Sequence, residues 1–306
     1  MQLTLARTVH FRGFGLHSGL PVRMQVAPAP VDHGIVFVRT DLPEGRNRIP
    51  ATIAHWVAAR LCTRLENVDG ASVATVEHLM AALAGCGIHN ACIRLDGPEV
   101  PILDGSAAPF LRSLIAAGLR EQRAPVHVIR IVRPIEVRDG DAVARLEPAD
   151  GVLMSFEIDF PDAAIGHQRK TLDLANGTVL RELGDSRTFC RRADVEAMQA
   201  AGLALGGSYD NAVVVEGAEV LSPGGLRHID EPVRHKMLDA LGDLAVAGAP
   251  IVGHYTGIRA GHALTGRLLR AVLDDPSCFI RQPCTAELWR RLPGGLRSAD
   301  ALALTA

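Results

Sequence analysis

Two stretches of this chain echo each other, and the echo limits what the chain can build. Residues 76–85 read Val-Glu-His-Leu-Met-Ala-Ala-Leu-Ala-Gly, and residues 233–242 read Val-Arg-His-Lys-Met-Leu-Asp-Ala-Leu-Gly. Each reads as a helix, the first with Thr75 as its N-cap and Gly85 as its stop. Each also sits in the same order of elements: several strands, a helix, one strand, a helix. In the first half, strand-like alternation at 22–26 and an apolar run at 34–38 precede the helix, and a strand at 91–95 and a helix at 108–117 follow it. In the second, strands at 128–132, 135–137, 142–146 and 153–158 come first, and a strand at 251–257 and a helix at 263–273 come after. The order predicts an α+β protein made of two related modules. If they stack through the repeated helices, His78 faces His235 and Asp239, and a ligand site forms between the modules.

His235 and Asp239 are four residues apart, so a helix sets them on one face about one turn from each other. An imidazole and a carboxylate so placed can grip one Zn²⁺ from one side. The same spacing also makes an ordinary i,i+4 pair on an exposed helix. Asp243 continues the stripe by a further turn, where it can orient a neighbouring group. Lys236 is expected to point elsewhere.

The charge balance removes one class of function. A net charge of −2, with no basic block and 4% aromatic residues, offers neither a phosphate-binding surface nor a stacking platform for nucleic acid. The N-terminus lacks a basic region followed by a long apolar run, so no signal peptide is read. No window reaches the ~18–20 uninterrupted apolar residues of a spanning helix. Cys62, Cys86, Cys92, Cys190, Cys278 and Cys284 are scattered without a Cys-x-x-Cys pair, as expected of reduced thiols in a cytoplasmic protein. Domain boundaries are expected as 1–122, a linker at 123–127, a second domain at 128–275 and a tail at 276–306. The tail has weak pattern and reads as partly unstructured or as a short extra helix.

Residues 13–19, Gly-Phe-Gly-Leu-His-Ser-Gly, form a Gly-rich turn. A phosphate-cradling loop would feed a helix N-terminus. Here strand pattern follows, so a tight hairpin turn is expected, with His17 available to a ligand. Nor does a P-loop or a Gly-x-Gly-x-x-Gly fingerprint follow a strand anywhere in the chain.

Five motifs in order narrow the reading: Thr75-Val76-Glu77-His78-Leu79, Asp104-Gly105-Ser106-Ala107, Ser186-Arg187-Thr188-Phe189, the run from Glu231 to Asp239, and Gly261-His262-Ala263-Leu264. Together, from about residue 3 to about residue 275, they closely resemble the zinc-dependent UDP-3-O-acyl-N-acetylglucosamine deacetylases of lipid A, and so lipopolysaccharide, biosynthesis. The resemblance implies two β-α-α-β sandwich-like domains, each with an insert, and an active site between them. It implies one catalytic Zn²⁺ on His78, His235 and Asp239, Glu77 as general base, His262 as catalytic histidine and Thr188 at the oxyanion. It also implies a hydrophobic passage for the substrate's acyl chain, built by an insert at about 189–215. The substrate is then an acylated UDP-N-acetylglucosamine, and the reaction releases acetate in the committed step of the pathway. Transient membrane contact without an anchor fits such a substrate, and no obligate protein partner is implied.

The chemistry agrees. Three protein ligands leave a fourth position open, the arrangement of a catalytic rather than a structural zinc. An amide also needs a base for the attacking water and an acid for the leaving amine. Glu77 adjoins a ligand, and His262 in its charged form can give a proton. Asp243 is a candidate to hold it charged, because a nearby carboxylate raises a histidine pKa. Lys236 is a candidate partner for the substrate's diphosphate, or else a solvated lysine. Phe189 and Phe160 either flank sugar or base or belong to the core. Leu61 and Cys62 match family positions near the acyl and metal site, and Cys62 is not needed as a ligand. Two readings stand beside this one: a zinc deacetylase of another N-acetyl sugar, and a non-catalytic protein with a structural metal. Fe²⁺ or Co²⁺ fits the same ligands. One departure from the family's usual small and apolar residues is Cys190-Arg191-Arg192 after Phe189, which bears on the lining of the passage.

Overall fold

The computed structural model describes residues 1–294. Its helices are α1 (Glu77–Gly85), α2 (Ala108–Ala117), α3 (Arg192–Ala200), α4 (Glu231–Ala245), α5 (His262–Asp274) and a short α6 (Ala286–Trp289). No helix among the described residues is long and apolar enough to cross a membrane.

The first half builds a five-stranded sheet in the order Val9–Phe14, Pro21–Pro28, Ala91–Leu95, Ile35–Arg39, Arg48–Pro50. Val22, Met24 and Val26 turn inward while their neighbours face out, which is the period-two pattern that made this strand legible. The Gly-rich stretch is the turn between the first two strands, as expected. A seven-stranded sheet occupies the second half. Its central strand, Ile251–Ile258, pairs with Ala142–Glu147 and, in parallel, with His127–Ile131 and Val152–Asp159. The mix of helices and several sheets is the expected α+β class.

The repeated helices pack directly on each other. Gly242 of α4 meets the backbone of Glu77 at the start of α1, and a Cβ at 242 would lie 2.0 Å from the Glu77 carbonyl oxygen. Only glycine permits that approach. Around the crossing, Leu79, Leu83, Val233, Met237 and Leu238 are at most 1% exposed. Burying each such side chain contributes about 1.5–3 kcal/mol. The apolar stripe that made these stretches look alike is therefore the seam that joins the halves, and it brings their polar faces together.

The structure departs from the sequence reading in several places. Thr75 does not cap α1. It adopts φ +56° and its hydroxyl donates to Glu99 at 2.8 Å, while Val76 takes the capping position. A strand at His167–Asp173 pairs with Val152–Asp159. It escapes sequence reading because His-Gln-Arg-Lys-Thr-Leu-Asp is polar on both faces. After 275, Ala286–Trp289 forms a short extra helix, one of the two expected readings, while Phe279–Pro283 adds an unexpected strand to His127–Ile131, and Leu288 and Leu292 pack on Val126, Val128 and Val252. Residues 295–306 of the expected tail lie outside the described residues. We propose that the two sheets mark two domains joined near 123–127.

Candidate active site

Helix α1 begins with Glu77 and His78, and α4 carries His235, Asp239 and Asp243 on its inward stripe. All five side chains are buried. His78 Nε2 lies 3.4 Å from Asp239 Oδ1, and His235 Nε2 lies 3.3 Å from the same oxygen. The two imidazoles meet edge to face with centroids 5.0 Å apart. One ligand atom from each of the three residues falls within 4.8 Å of the other two.

The tautomer and orientation of His235 are set from behind. Its Nδ1 donates to the Ser186 carbonyl at 3.0 Å, which leaves Nε2 as the free lone pair. Ser186 is held in turn by its neighbour Arg187, whose backbone N–H and Nε both donate to Glu231 at 2.9 Å. Glu231 is the first residue of α4, so the segment at Ser186-Arg187 is clamped to the start of the helix that carries His235. Burial pushes His235 down to about 4, so it is a neutral imidazole at working pH. Asp239 is the opposite case. Burial opposes its ionisation, but His235 and Lys236 outweigh it and hold the carboxyl well below the usual carboxylate range.

Lys236 does not point away as expected. Its Nζ donates to Asp239 Oδ2 at 2.9 Å, one turn along the helix. Burial alone would lower its pKa, and the Asp239 carboxylate reverses the shift, so the ammonium stays charged. Asp239 Oδ2 is thereby satisfied. Asp239 Oδ1 is buried with no hydrogen-bond partner among the described residues. A buried carboxylate oxygen left bare is costly. Two imidazole nitrogens and that bare oxygen, converging from one side, are a donor set that fits a borderline divalent cation such as Zn²⁺.

His262 opens α5 and faces the same group. Its Nε2 lies 3.9 Å from Glu77 Oε1 and 3.9 Å from Asp239 Oδ2. Its Nδ1 lies 3.0 Å from both oxygens of Asp243. Burial would lower its pKa, but Asp243, Glu77 and Asp239 raise it to about 9. Glu77 is raised above the ordinary carboxyl range, first by burial and against the pull of His262 and His78.

Other expected residues fall at varied distances from this group. Thr188 directly precedes the short strand Phe189–Arg191, its backbone N–H donating to the Gly105 carbonyl oxygen at 2.8 Å. Gly105 has φ +82°, and a Cβ there would sit 2.0 Å from the Asn211 carbonyl oxygen, which accounts for the glycine of the Asp-Gly-Ser motif. The Phe189 ring stands 6.2 Å from that of His235 and edge-on to Phe160 at 5.4 Å, with Phe160 packed on the core. Leu61 is half exposed with φ +64°. Cys62 is buried, and burial pushes its thiol up to about 12, so it is no thiolate. Arg191 pairs with Asp162, and Arg192 lies 3.7 Å from Glu216. These two arginines are thus engaged by acids of the second half. Of the insert's apolar residues, Ala212 is buried, Val195 and Met198 are half-buried and Leu205 is exposed.

Residues that sequence reasoning missed hold the group in place. Thr63 donates its backbone N–H to Glu77 at 3.0 Å and its hydroxyl to Asp243 at 2.5 Å. Glu99 accepts the N–H groups of His17 and Ser18, each at 2.8 Å, and so fixes the Gly-rich turn. His17 is buried there, and Leu205 and Gly206 of the insert donate to the carbonyls of His17 and Leu16. No motif marks Thr63 or Glu99, because their partners are far away in sequence.

Known proteins show the same layout at the level of sequence. The family model for UDP-3-O-acyl N-acetylglycosamine deacetylase matches residues 2–274. Among similar chains, a protein of an Anaeromyxobacter species is 46% identical over 303 residues, covering 98% of both chains. One from Myxococcus xanthus is 49% identical over 278 residues, covering 91% of this chain and 88% of that one. One from Acidithiobacillus ferrooxidans is 50% identical over 275 residues, covering 89% and 90%. All three carry the name UDP-3-O-acyl-N-acetylglucosamine deacetylase. With the match spanning both halves and the helices that join them, the chain belongs to the UDP-3-O-acyl N-acetylglycosamine deacetylase family.

Proposed function

We propose that this protein hydrolyses the N-acetyl amide of UDP-3-O-acyl-N-acetylglucosamine, releasing acetate in the committed step of lipid A biosynthesis, with His78, His235 and Asp239 holding one Zn²⁺. The observation that carries the reading is the bare Asp239 Oδ1 between two imidazole nitrogens, with a base and a charged histidine beside it. Bound there, the ion supplies Lewis acidity to an otherwise unreactive amide.

The chain supplies the rest. Glu77, raised in pKa by burial, takes the proton of the attacking water. His262, kept charged by Asp243, gives a proton to the leaving amine nitrogen and faces the negative charge that develops on the carbonyl oxygen. Thr63 and Asp243 hold the His262 ring still, so little reorganisation is needed during the reaction. Thr188, two residues after the Ser186 carbonyl that orients His235, donates to the same oxyanion. Lys236 spends one of its three donors on Asp239, and the others serve the substrate's oxygens. Phe189 flanks the sugar. Leu61 and the insert at 189–215 contact the acyl chain.

A structural metal would need neither Glu77 nor His262, and their burial beside the ligands favours the catalytic reading. Rates on UDP-3-O-acyl-N-acetylglucosamine and on UDP-N-acetylglucosamine test the substrate. A large preference in kcat/KM for the acylated compound is expected. Equal rates would point to a deacetylase of another N-acetyl sugar.

A further inference from the structure

A cavity of about 210 Å³ lies under the C-terminal halves of α1 and α4, and none of the proposed site residues lines it. Its walls are Met80 and Leu83 of α1, Leu241 and Leu244 of α4, and Met154 and Ile251 of the large sheet. It is much more apolar than polar. At one side stands His33, whose Nε2 is 3.4 Å from the Arg48 guanidinium. The nearby acid Asp32 is already engaged by the Gln2 side chain at 2.6 Å. Asp32 keeps its charge but is turned onto the neutral Gln2 amide, so the Arg48 guanidinium, beside the His33 ring, is the cation offered at this mouth.

Two features show that the space is built in. Ala84 and Ala245 line the cavity from the two helices and remain only half-buried, where leucine would fill the gap. Engineered apolar cavities of about 150 Å³ exclude water and take up benzene-sized hydrocarbons. At about 30 Å³ for each water-sized group, this one has room for a chain of roughly seven carbons.

We propose that this cavity is a second ligand site that takes the tail of a medium-chain fatty carboxylate, with the carboxylate at His33 and Arg48. The ligand touches the two helices that carry the metal-binding group, so its binding stabilises their packing.

Trp289 makes the test specific. It lines the cavity, while the chain's other tryptophan, Trp56, is buried elsewhere beneath Arg270. The full-length protein is titrated with decanoate below its micelle concentration, and tryptophan emission is followed. A saturable change is expected, lost in Trp289→Phe and accompanied by a higher Tm. Affinity should fall about tenfold or more in Ala245→Leu, in Ala84→Leu and in Arg48→Gln. Two filling variants are used so that a folding defect in one, seen by Tm without ligand, leaves the other decisive. Unchanged emission would overturn the site. So would undiminished affinity in the filling variants, which means binding elsewhere. Decanol binding as tightly as decanoate would overturn the assignment of an anionic ligand.

Discussion

The Nδ1 of His262 lies 3.0 Å from both carboxylate oxygens of Asp243, across the junction of α5 and α4. This contact lets a buried histidine keep its charge: burial lowers its pKa, and Asp243, with Glu77 and Asp239, lifts it to about 9. Activity should therefore fall as pH rises through about 9. Because the folded pKa exceeds the ordinary ~6.5, the pair's contribution to stability is fully present below that value and is lost as pH rises through about 9. In Asp243→Asn the alkaline limb of the kcat profile should move down toward the ordinary histidine range. An unmoved limb would show that another group sets it.

Glu77→Ala and His262→Ala should each lower kcat at least ~100-fold, the scale of general acid–base catalysis. Steady-state rates at saturating substrate read this directly, with metal content confirming that the site still fills. Rates within a few-fold of the parent would remove these residues from the reaction.

Thr63→Val deletes the hydroxyl that donates to Asp243 and leaves a buried carboxylate short of a partner. A loss of about 1–3 kcal/mol in unfolding free energy is expected. Denaturant unfolding measures it. The same variant should also shift the alkaline limb, since Asp243 is then less firmly placed.

Gly242→Ala forces a methyl group against the Glu77 carbonyl oxygen, so α1 and α4 must separate. Weaker metal binding should accompany a lower Tm, because His78 and Asp239 sit on the two helices that part. A variant that loses stability but keeps full metal affinity would show that the site does not depend on this crossing.

Glu231→Gln disturbs the buried pair with Arg187 that clamps the Ser186 carbonyl behind His235. Metal affinity should fall about 10- to 100-fold, as for other groups that orient a ligand from behind. A competition titration with a metal indicator gives the number. Unchanged affinity would mean that His235 is held by other contacts.

Parts of this arrangement could be read before any coordinates. His78, His235 and Asp239 were legible because helical spacing is local and the two helices repeat an apolar stripe that must be buried somewhere. The convergence of the stripes then follows from packing. Thr63, Glu99 and the Ser186 carbonyl were not legible, since each acts through a partner at long range or through its backbone. Lys236 was misread although it stands three residues before Asp239, a spacing that brings two side chains to one helix face. Thr75 was misread as a cap because its type suits a cap, whereas Glu99 draws its hydroxyl elsewhere. The strand at Phe279–Pro283 lacked a core-facing alternation because it lies at the edge of its sheet.

The most direct test is metal removal and return on the purified protein, with deacetylation of UDP-3-O-acyl-N-acetylglucosamine as the readout. A chelator should abolish acetate release, and one equivalent of Zn²⁺ per chain should restore it. In His235→Ala neither stoichiometric metal binding nor restored activity should be seen. Full activity in the metal-stripped protein, or stoichiometric metal without any deacetylation, would contradict the account.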